Sequence, residues 1–528
     1  MPTRTRRAFL KHAASATLLT AASASRAAGS NDRIGVALIG PGGRGMGLLK
    51  TFASRKDVAI THVCDADENR TRSAAKAASS AGHTPKTERD MRRVFDNKSV
   101  DAVVIATPDH WHAPATILAC EAGKHVYVEK PASHNIREGR LMIDAARRTN
   151  RVVQVGTQSR SADHVRQAMD LLKSGAIGEV LISKAWNSQL RTNIGHQPPS
   201  DPPPHLDYDL WVGPAPMVPY QRNLLPSLWR WFYNFGCGDI GNDGVHDIDI
   251  ARWGLGVETH PNRISALGGK YFFDDDQQFP DTQYVCFEYD LNGKQKQLIY
   301  EQRIWSPYFQ EGAENGNAFY GTKGIMLLCK KTGCQVIGPR NKPLKSIEGK
   351  LANDPHAANF LDCIRTGNRP NAHIEIGHLS SCLSHLGNIA TRLGRTLRFD
   401  PATEKFVGDD DPTTSCEGNT VKSTGRCRRA RDAAFTRGGD RVLRAGERRA
   451  CLPAPLDRPP SPSRSLSLRC NRCTPAPGRA RSRPANPPPA ADSPPARSAP
   501  SPSHSHPDPP RSPATRRSSR RAPTPLPS

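Results

Sequence analysis

The sequence predicts an α/β fold whose first half is built on a parallel sheet and whose second half is a separate, strand-rich α/β domain. Three observations carry this. Residues 33–39, Arg-Ile-Gly-Val-Ala-Leu-Ile, form a continuous apolar run of the kind that a parallel sheet buries on both faces. A glycine-rich turn, Gly40-Pro-Gly42-Gly43-Arg44-Gly45, joins that run to a helix-like stretch over 46–54. Further strand-like runs at 59–64, 100–106, 125–128 and 152–156 are separated by helix-like segments, and right-handed crossovers bring the ends of such strands to one edge of the sheet.

Hydropathy and charge bound the function classes. The 528 residues have a mean hydropathy of −0.59. Their longest apolar stretch, residues 13–24, is shorter than the ~20 residues that cross a bilayer, so no membrane span is expected. The net charge of +24 suggests a polyanionic partner until its distribution is read. Residues 412–528 hold 22 arginines, one lysine and seven acids, which is +16 of the excess. Residues 1–33 hold another +5, leaving +3 for the middle. The middle is a nearly neutral globular protein, and nucleic acid is not expected as its partner.

At the N-terminus, Arg6-Arg7-Ala-Phe-Leu-Lys11 precedes a weakly apolar run and an Ala22-Ser-Ala24 site, the layout of an export signal. Two adjacent arginines resemble the twin-arginine type, which carries folded proteins across a membrane. Residues 1–30 are expected to be this signal, with a mature start between Ser25 and Asn31, a periplasmic or otherwise exported product, and membrane contact only during export.

The glycine turn follows a strand, opens a helix, and is followed by a second strand ending in Asp65, twenty residues after Gly45. In that context it reads as a dinucleotide-binding Rossmann domain over 31–157. Gly40, Gly42, Gly43, Arg44 and Gly45 would let the backbone approach a pyrophosphate at the helix N-terminus, while Asp65 accepts from the adenosine ribose hydroxyls. A carboxylate there repels a 2′-phosphate, so the expected cofactor is NAD rather than NADP. The later strands deliver Thr107-Pro108 with His112, then Glu129-Lys130-Pro131, then Gln158, to the same edge, which places Lys130 over the cofactor site. Asn135 and Glu138 read as a capping box for a helix reaching Arg148.

These pieces, with Gly241-Asn-Asp-Gly-Val-His246-Asp-Ile-Asp249 further on, resemble the glucose-fructose oxidoreductase, inositol dehydrogenase and rhizopine-catabolism (Gfo/Idh/MocA) family over roughly residues 33–408. The resemblance implies a C-terminal α/β domain with a large, mostly antiparallel open sheet used for homo-oligomerisation. It also implies pyridine-nucleotide redox chemistry on a sugar or cyclitol. Strand-like segments at 180–187, 263–273, 283–291, 297–304 and 324–328, and helix-like segments at 357–365 and 376–392, agree with a second domain over 158–411.

In that family the lysine of Glu-Lys-Pro and a histidine of the second domain hold the reacting hydroxyl, often with an acid four residues before the histidine. Lys130 and His246 match as the catalytic pair, but the acid position is Asn242. Asn orients a hydroxyl and cannot accept its proton, so the base is His246 or Lys130, with Asp239 and Asp243 near enough to compensate. On a helix Asp243 and His246 share a face. Asn242, Asp243, Trp229 and Arg230 are the expected substrate contacts, because aromatic faces stack on sugar C–H faces and arginine binds carboxylates or hydroxyls. Each has a plainer reading as well. The alternatives are Lys130 as a solvated strand-end lysine, His246 as a hydrogen-bonded core histidine, the aromatic run 228–233 as core, and Asp249 as a structural partner or cap. His110, His112 and His246 lack metal-ligand spacing, and no metal is expected.

Of the thirteen cysteines, eight are scattered through the globular part without zinc-like pairs, and their pairing is not legible. Residues 412–528 contain 23 of the 46 prolines and no sustained periodicity, so they are expected to be disordered. Arg, Pro, Ala and Ser with almost no Lys is what a GC-rich coding region gives when read out of frame. Two functions compete with the dehydrogenase: a glycosidase that oxidises the sugar transiently and eliminates the glycoside, and a non-catalytic nucleotide-binding protein.

Overall fold

The apolar runs become two sheets in the computed structural model, which describes residues 33–409. The export segment and the tail, with its Cys470 and Cys473, lie outside the described residues. The first sheet holds β1 (Ile34–Ile39), β2 (Val58–Cys64), β3 (Lys86–Glu88), β4 (Ala102–Ile105), β5 (His125–Val128) and β6 (Val153–Val155). All pair in parallel in the order β3-β2-β1-β4-β5-β6, the doubly wound order of a Rossmann domain. Every residue of β1 is buried, as a strand covered on both faces requires.

The helices α1 (Gly43–Ala53), α2 (Glu68–Ser80), α3 (Met91–Phe95), α4 (Asp109–Glu121) and α5 (Ile136–Thr149) cover this sheet. The glycine turn itself winds into α1, which starts three residues before its apolar periodicity. No side chain caps α1, so its first N–H groups are left for another acceptor. Asn135 caps α5 by accepting from the Glu138 N–H at 3.0 Å. Glu138 in return accepts from the His134 N–H at 3.1 Å, one residue earlier than a strict capping box.

The second sheet is larger than the sequence predicts. It comprises β7 (Val180–Ser188), β8 (Arg263–Gly269), β9 (Thr282–Leu291), β10 (Lys294–Arg303), β11 (Asn315–Gly321), β12 (Ile325–Cys329), β13 (Gly333–Gly338), β14 (Lys342–Glu348), β15 (Leu397–Asp400) and β16 (Lys405–Phe406). Their order is β14-β13-β12-β11-β7-β10-β9-β8-β15-β16, antiparallel except for β7 with β10. The segment expected to run from 263 to 273 ends at Gly269. Asp281 ends it by collecting the N–H groups of Tyr271, Phe272 and Phe273, which pulls the chain into a turn.

Helices α6 (Asp163–Lys173), α7 (Tyr208–Val212), α8 (Val245–Leu255), α9 (Asp354–Thr366) and α10 (Ile374–Leu393) complete the fold. Ile248 of α8 and Leu383 and Leu386 of α10 share one core with Val285 and Phe287 on the inner face of the second sheet. Leu267, Tyr284 and Tyr320 remain exposed on the outer face. Phe360 and Leu361 of α9 pack instead with β1 and α1, so the chain returns to the first domain. Arg160, in the turn after β6, donates twice to the fully buried Asp249 of α8, at 2.8 and 2.9 Å. Asp249 is thus the structural partner its plainer reading anticipates. Among the described residues none of the eight cysteines is in a disulfide, and no helix is long and apolar enough to cross a membrane.

Candidate active site

Only glycine fits two positions of the turn after β1. Gly40 adopts φ +82°, and a Cβ on Gly45 would lie 2.2 Å from the Gly40 carbonyl oxygen. The cleft above this turn is lined by Gly40, Gly42, Gly43, Arg44, Asp65, Arg70, Thr107, Pro108, Trp229 and Arg230. The buried Thr107 hydroxyl, on the cleft wall, has no partner among the described residues. Uncapped N–H groups, a close-approach turn and this unpaired hydroxyl fit a dinucleotide phosphate.

Asp65 lies at the end of β2 and accepts from the Asp67 N–H at 2.9 Å. Burial raises its carboxyl to about 6, against the opposing pull of Arg70. Arg70 was not anticipated. It shares the wall with Asp65 and donates to the Pro226 carbonyl at 2.9 Å. This part of the cleft therefore carries the Asp65 carboxyl beside two arginines, Arg70 and Arg89.

Several residues expected at the cofactor stand behind the cleft wall. Glu129 is buried and accepts from Arg44 Nε at 2.7 Å and from Gln158 Nε2 at 3.4 Å. The Arg44 guanidinium is thereby tied to the sheet edge. His112 is buried between the Pro131 and Thr107 carbonyls, at 2.6 and 3.0 Å, and braces the two loops that follow β4 and β5. His110 is also buried, against the Trp211 and Phe235 carbonyls.

A π-helical turn, Ile240–Gly244, runs into α8 and brings Asn242, Asp243 and His246 together beside Lys130. Such wide turns recur at functional sites. Lys130 Nζ donates to the Asn242 carbonyl. The Asn242 side chain is committed on both ends: its Nδ2 donates to Asp239 at 2.9 Å and its Oδ1 accepts from Arg230 at 3.0 Å. Asp239, fully buried, also receives Asn187 at 2.8 Å and Arg191 at 3.0 Å. Asp243 receives Asn315 at 2.5 Å and Gln189.

Burial lowers the Lys130 ammonium, against the pull of Glu129, Asp109 and Asp243. Burial, reinforced by Lys130 and Lys330, holds the His246 imidazole well below its ordinary range, so it is neutral near pH 7. For Asp243 burial acts upward, but the cations Lys330, Lys130 and Arg191 outweigh it and keep the carboxylate ionised. The buried Lys330 also pairs with Asp247, whose carboxyl burial lifts to about 6. The cluster thus presents one neutral imidazole between two ammonium groups and one fixed carboxylate.

Of the aromatic run, Trp231 and Phe232 are core, packed with Trp211 and Phe235. Trp229 faces the cleft under the Arg230 guanidinium, 5.5 Å from its ring centre. Arg230 lines the cleft and bonds Asn242, so the cleft and the Lys130–His246 cluster adjoin. Arg191 and Lys330 escaped sequence reasoning because they belong to no local motif and arrive from separate elements, and Asp109, though inside the Thr107-Pro108…His112 motif, had no role read from it.

Residues 34–157 match the model described as oxidoreductase family, NAD-binding Rossmann fold. Residues 165–293 and 337–420 match the C-terminal alpha/beta domain of the same family. A glycosyl hydrolase family 109 protein of Saccharopolyspora erythraea is 33% identical over 158 residues, covering 29% of this chain and 34% of that protein. Inositol 2-dehydrogenase 2 of the same organism is 29% identical over 260 residues, covering 48% and 62%. A levoglucosan dehydrogenase solved with NADH and levoglucosan superposes with a TM-score of 0.53 at 19% identity, over 69% of this chain and 99% of that one. The chain spans about a third to two thirds of the length of these curated relatives. With both domain models matched in order on the observed fold, the chain belongs to the Gfo/Idh/MocA family of NAD(P)-binding oxidoreductases.

Proposed function

We propose that the protein is an NAD-dependent dehydrogenase acting on a secondary hydroxyl of a sugar or cyclitol. One observation carries this reading: His246 and Lys130 stand together in a cluster that Asn242 and Arg230 join to a cleft fitted to a dinucleotide. A bound nicotinamide supplies the hydride acceptor. Lys130 donates to the substrate oxygen and stabilises negative charge developing on it. His246 accepts the hydroxyl proton, because Asp239 is saturated by three donors and Asp243 is held by cations. Trp229 and Arg230 position the ring. The test is a panel of sugars and cyclitols with NAD; NADH formation by wild type, lost in Lys130 and His246 variants, is the expected result. No NADH with any member refutes the reading.

A second reading rests on Asn242 and on the family 109 relative. A glycosidase that oxidises the sugar transiently, eliminates the aglycone and reduces the sugar again would leave the nucleotide unchanged over a full turnover. Release of aglycone from an aryl glycoside with catalytic nucleotide and no NADH build-up identifies it.

NAD preference is proposed from Asp65. Binding of the ribose hydroxyls needs the ionised carboxylate, and the folded group titrates near about 6. NAD affinity is therefore expected to be level above that pH and to fall towards tenfold per unit below it. Asp65→Ser removes the carboxylate beside Arg70 and should shift the NAD to NADP affinity ratio on the order of tenfold towards NADP, about 1.4 kcal/mol. Titration of both dinucleotides from pH 5 to 8 checks both; tighter NADP binding by wild type refutes the assignment.

Export by the twin-arginine route is proposed from Arg6-Arg7 and the apolar run behind it. Arg6→Lys with Arg7→Lys should leave precursor in the cytoplasm, and unchanged recovery outside it argues for another route.

A further inference from the structure

Away from the cleft, four chemistry-bearing side chains meet in the second domain. His378 and Cys382 stand one turn apart on α10, the spacing that puts two residues on one helix face. His260 comes from the loop before β8, and Glu404 from the turn that links β15 to β16. The donor atoms of His260, His378 and Cys382 all lie within 4.8 Å of one another, and all three residues are buried. Both imidazoles aim the same nitrogen at one carboxylate oxygen: His260 Nε2 is 2.9 Å and His378 Nε2 2.7 Å from Glu404 Oε1. Cys382 Sγ lies 3.7 Å from His378 Nε2. Arg140 donates to both Glu404 oxygens, at 3.2 and 2.6 Å, and holds the carboxylate in place. No step proposed for the active site uses any of these groups.

We propose that His260, His378, Cys382 and Glu404 form a structural zinc site that fastens the β15–β16 hairpin to α10. Two imidazoles, a sulfur and a carboxylate oxygen are a donor set for a borderline-soft ion with no geometric demand beyond a tetrahedron. The sulfur speaks against magnesium and calcium, which take oxygen ligands. Zinc bonds of about 2.0–2.3 Å set neighbouring donors roughly 3.4–3.8 Å apart. The two nitrogen–oxygen pairs reach that spacing by opening about 0.5–0.7 Å, and Cys382 Sγ, 3.7 Å from His378 Nε2 but 3.4 Å from Nδ1, must turn from the Nδ1 side towards Nε2 to join them. Metal-bound carboxylates are themselves commonly hydrogen-bonded, the role Arg140 fills. Three segments far apart in sequence would be closed on one ion, so binding should add directly to stability.

The test uses the full chain, stripped with a chelator and titrated with Zn²⁺ or Co²⁺, beside Cys382→Ser and Glu404→Gln. Cysteines in the tail contribute equally to all three proteins, so the difference between them is the readout. The expected result is one zinc more per wild-type chain than per variant, with the variants' affinity at that site lower by more than about 100-fold, beyond the range for an outer partner. Co²⁺ should give intense tetrahedral visible bands and a near-ultraviolet thiolate band that Cys382→Ser removes. Zinc should raise the wild-type Tm by several degrees and leave the variants unmoved. If Cys382→Ser does not fold, as judged by circular dichroism, His260→Gln takes its place. Equal stoichiometry and affinity in wild type and variants, or no zinc in any of them, overturns the proposal and leaves a hydrogen-bonded clip.

Discussion

Lys130→Met is expected to lower kcat at least ~100-fold and to leave dinucleotide affinity unchanged. A positioned group that transfers or stabilises a proton contributes about 10²- to 10⁴-fold, and the Lys130 ammonium is the donor nearest the proposed reacting oxygen. Methionine is unbranched and one heavy atom shorter, so it fills most of the space while removing the charge and its N–H donors. The affinity half of the expectation follows from geometry. The glycine turn, Asp65 and Thr107 line the cleft, whereas Lys130 Nζ is spent on the Asn242 carbonyl beyond Arg230. Nor should the fold suffer, since Asp243 keeps Lys330 and Arg191 as neighbours. Steady-state kinetics with NAD fluorescence titration decide it. Turnover within a few-fold of wild type would place the chemistry elsewhere.

Arg160→Ala is expected to cost about 3–5 kcal/mol of stability, the scale for removing one partner of a buried ion pair. The bidentate contact to Asp249 is buried on both sides, and the Ser380 hydroxyl bonds the same carboxylate at 2.6 Å. Arg252, 3.9 Å from Asp249, offers only partial compensation. The Arg160 guanidinium also covers the Trp253 ring at 4.7 Å, so packing is lost with the charge. Because Arg160 follows the last strand of the first sheet and Asp249 sits three residues after His246 on α8, the damage should extend to the active site. Urea unfolding checks the number. Replacing both residues with apolar side chains should recover much of it, since the penalty comes from the stranded charge. A loss under about 1 kcal/mol for the single variant contradicts this account.

What the sequence disclosed was what local chemistry determines. The strands buried on both faces, β1, β2 and β4 to β6, read as apolar runs, and the glycine turn announced its own backbone. β3 is Lys-Thr-Glu with two exposed residues, and β14 is exposed over nearly its whole length and contains Pro343. Both lie at sheet edges, where pairing with a neighbour and not periodicity makes the strand. The same division holds in the site. Asp65, Lys130 and His246 belong to compact motifs, while Arg191 and Lys330 are gathered by topology. The His260, His378, Cys382 and Glu404 cluster was not read from the sequence, because His260 and Glu404 join α10 only through the register of β8, β15 and β16.

The pairing of β7 with β11 sets Asn187 directly opposite Asn315. These two amides hold the two site carboxylates, Asn187 on Asp239 and Asn315 on Asp243. A strand that slips by one residue turns every side chain to the other face. Such a slip in β7 would exchange Asn187 for Ser188 or Trp186, strip Asp239 of an amide donor and swing Arg191 off its carboxylate. Misaligned chains would therefore be inactive chains, and selection for turnover alone would act as a proofreader of strand alignment in the middle of a ten-stranded sheet.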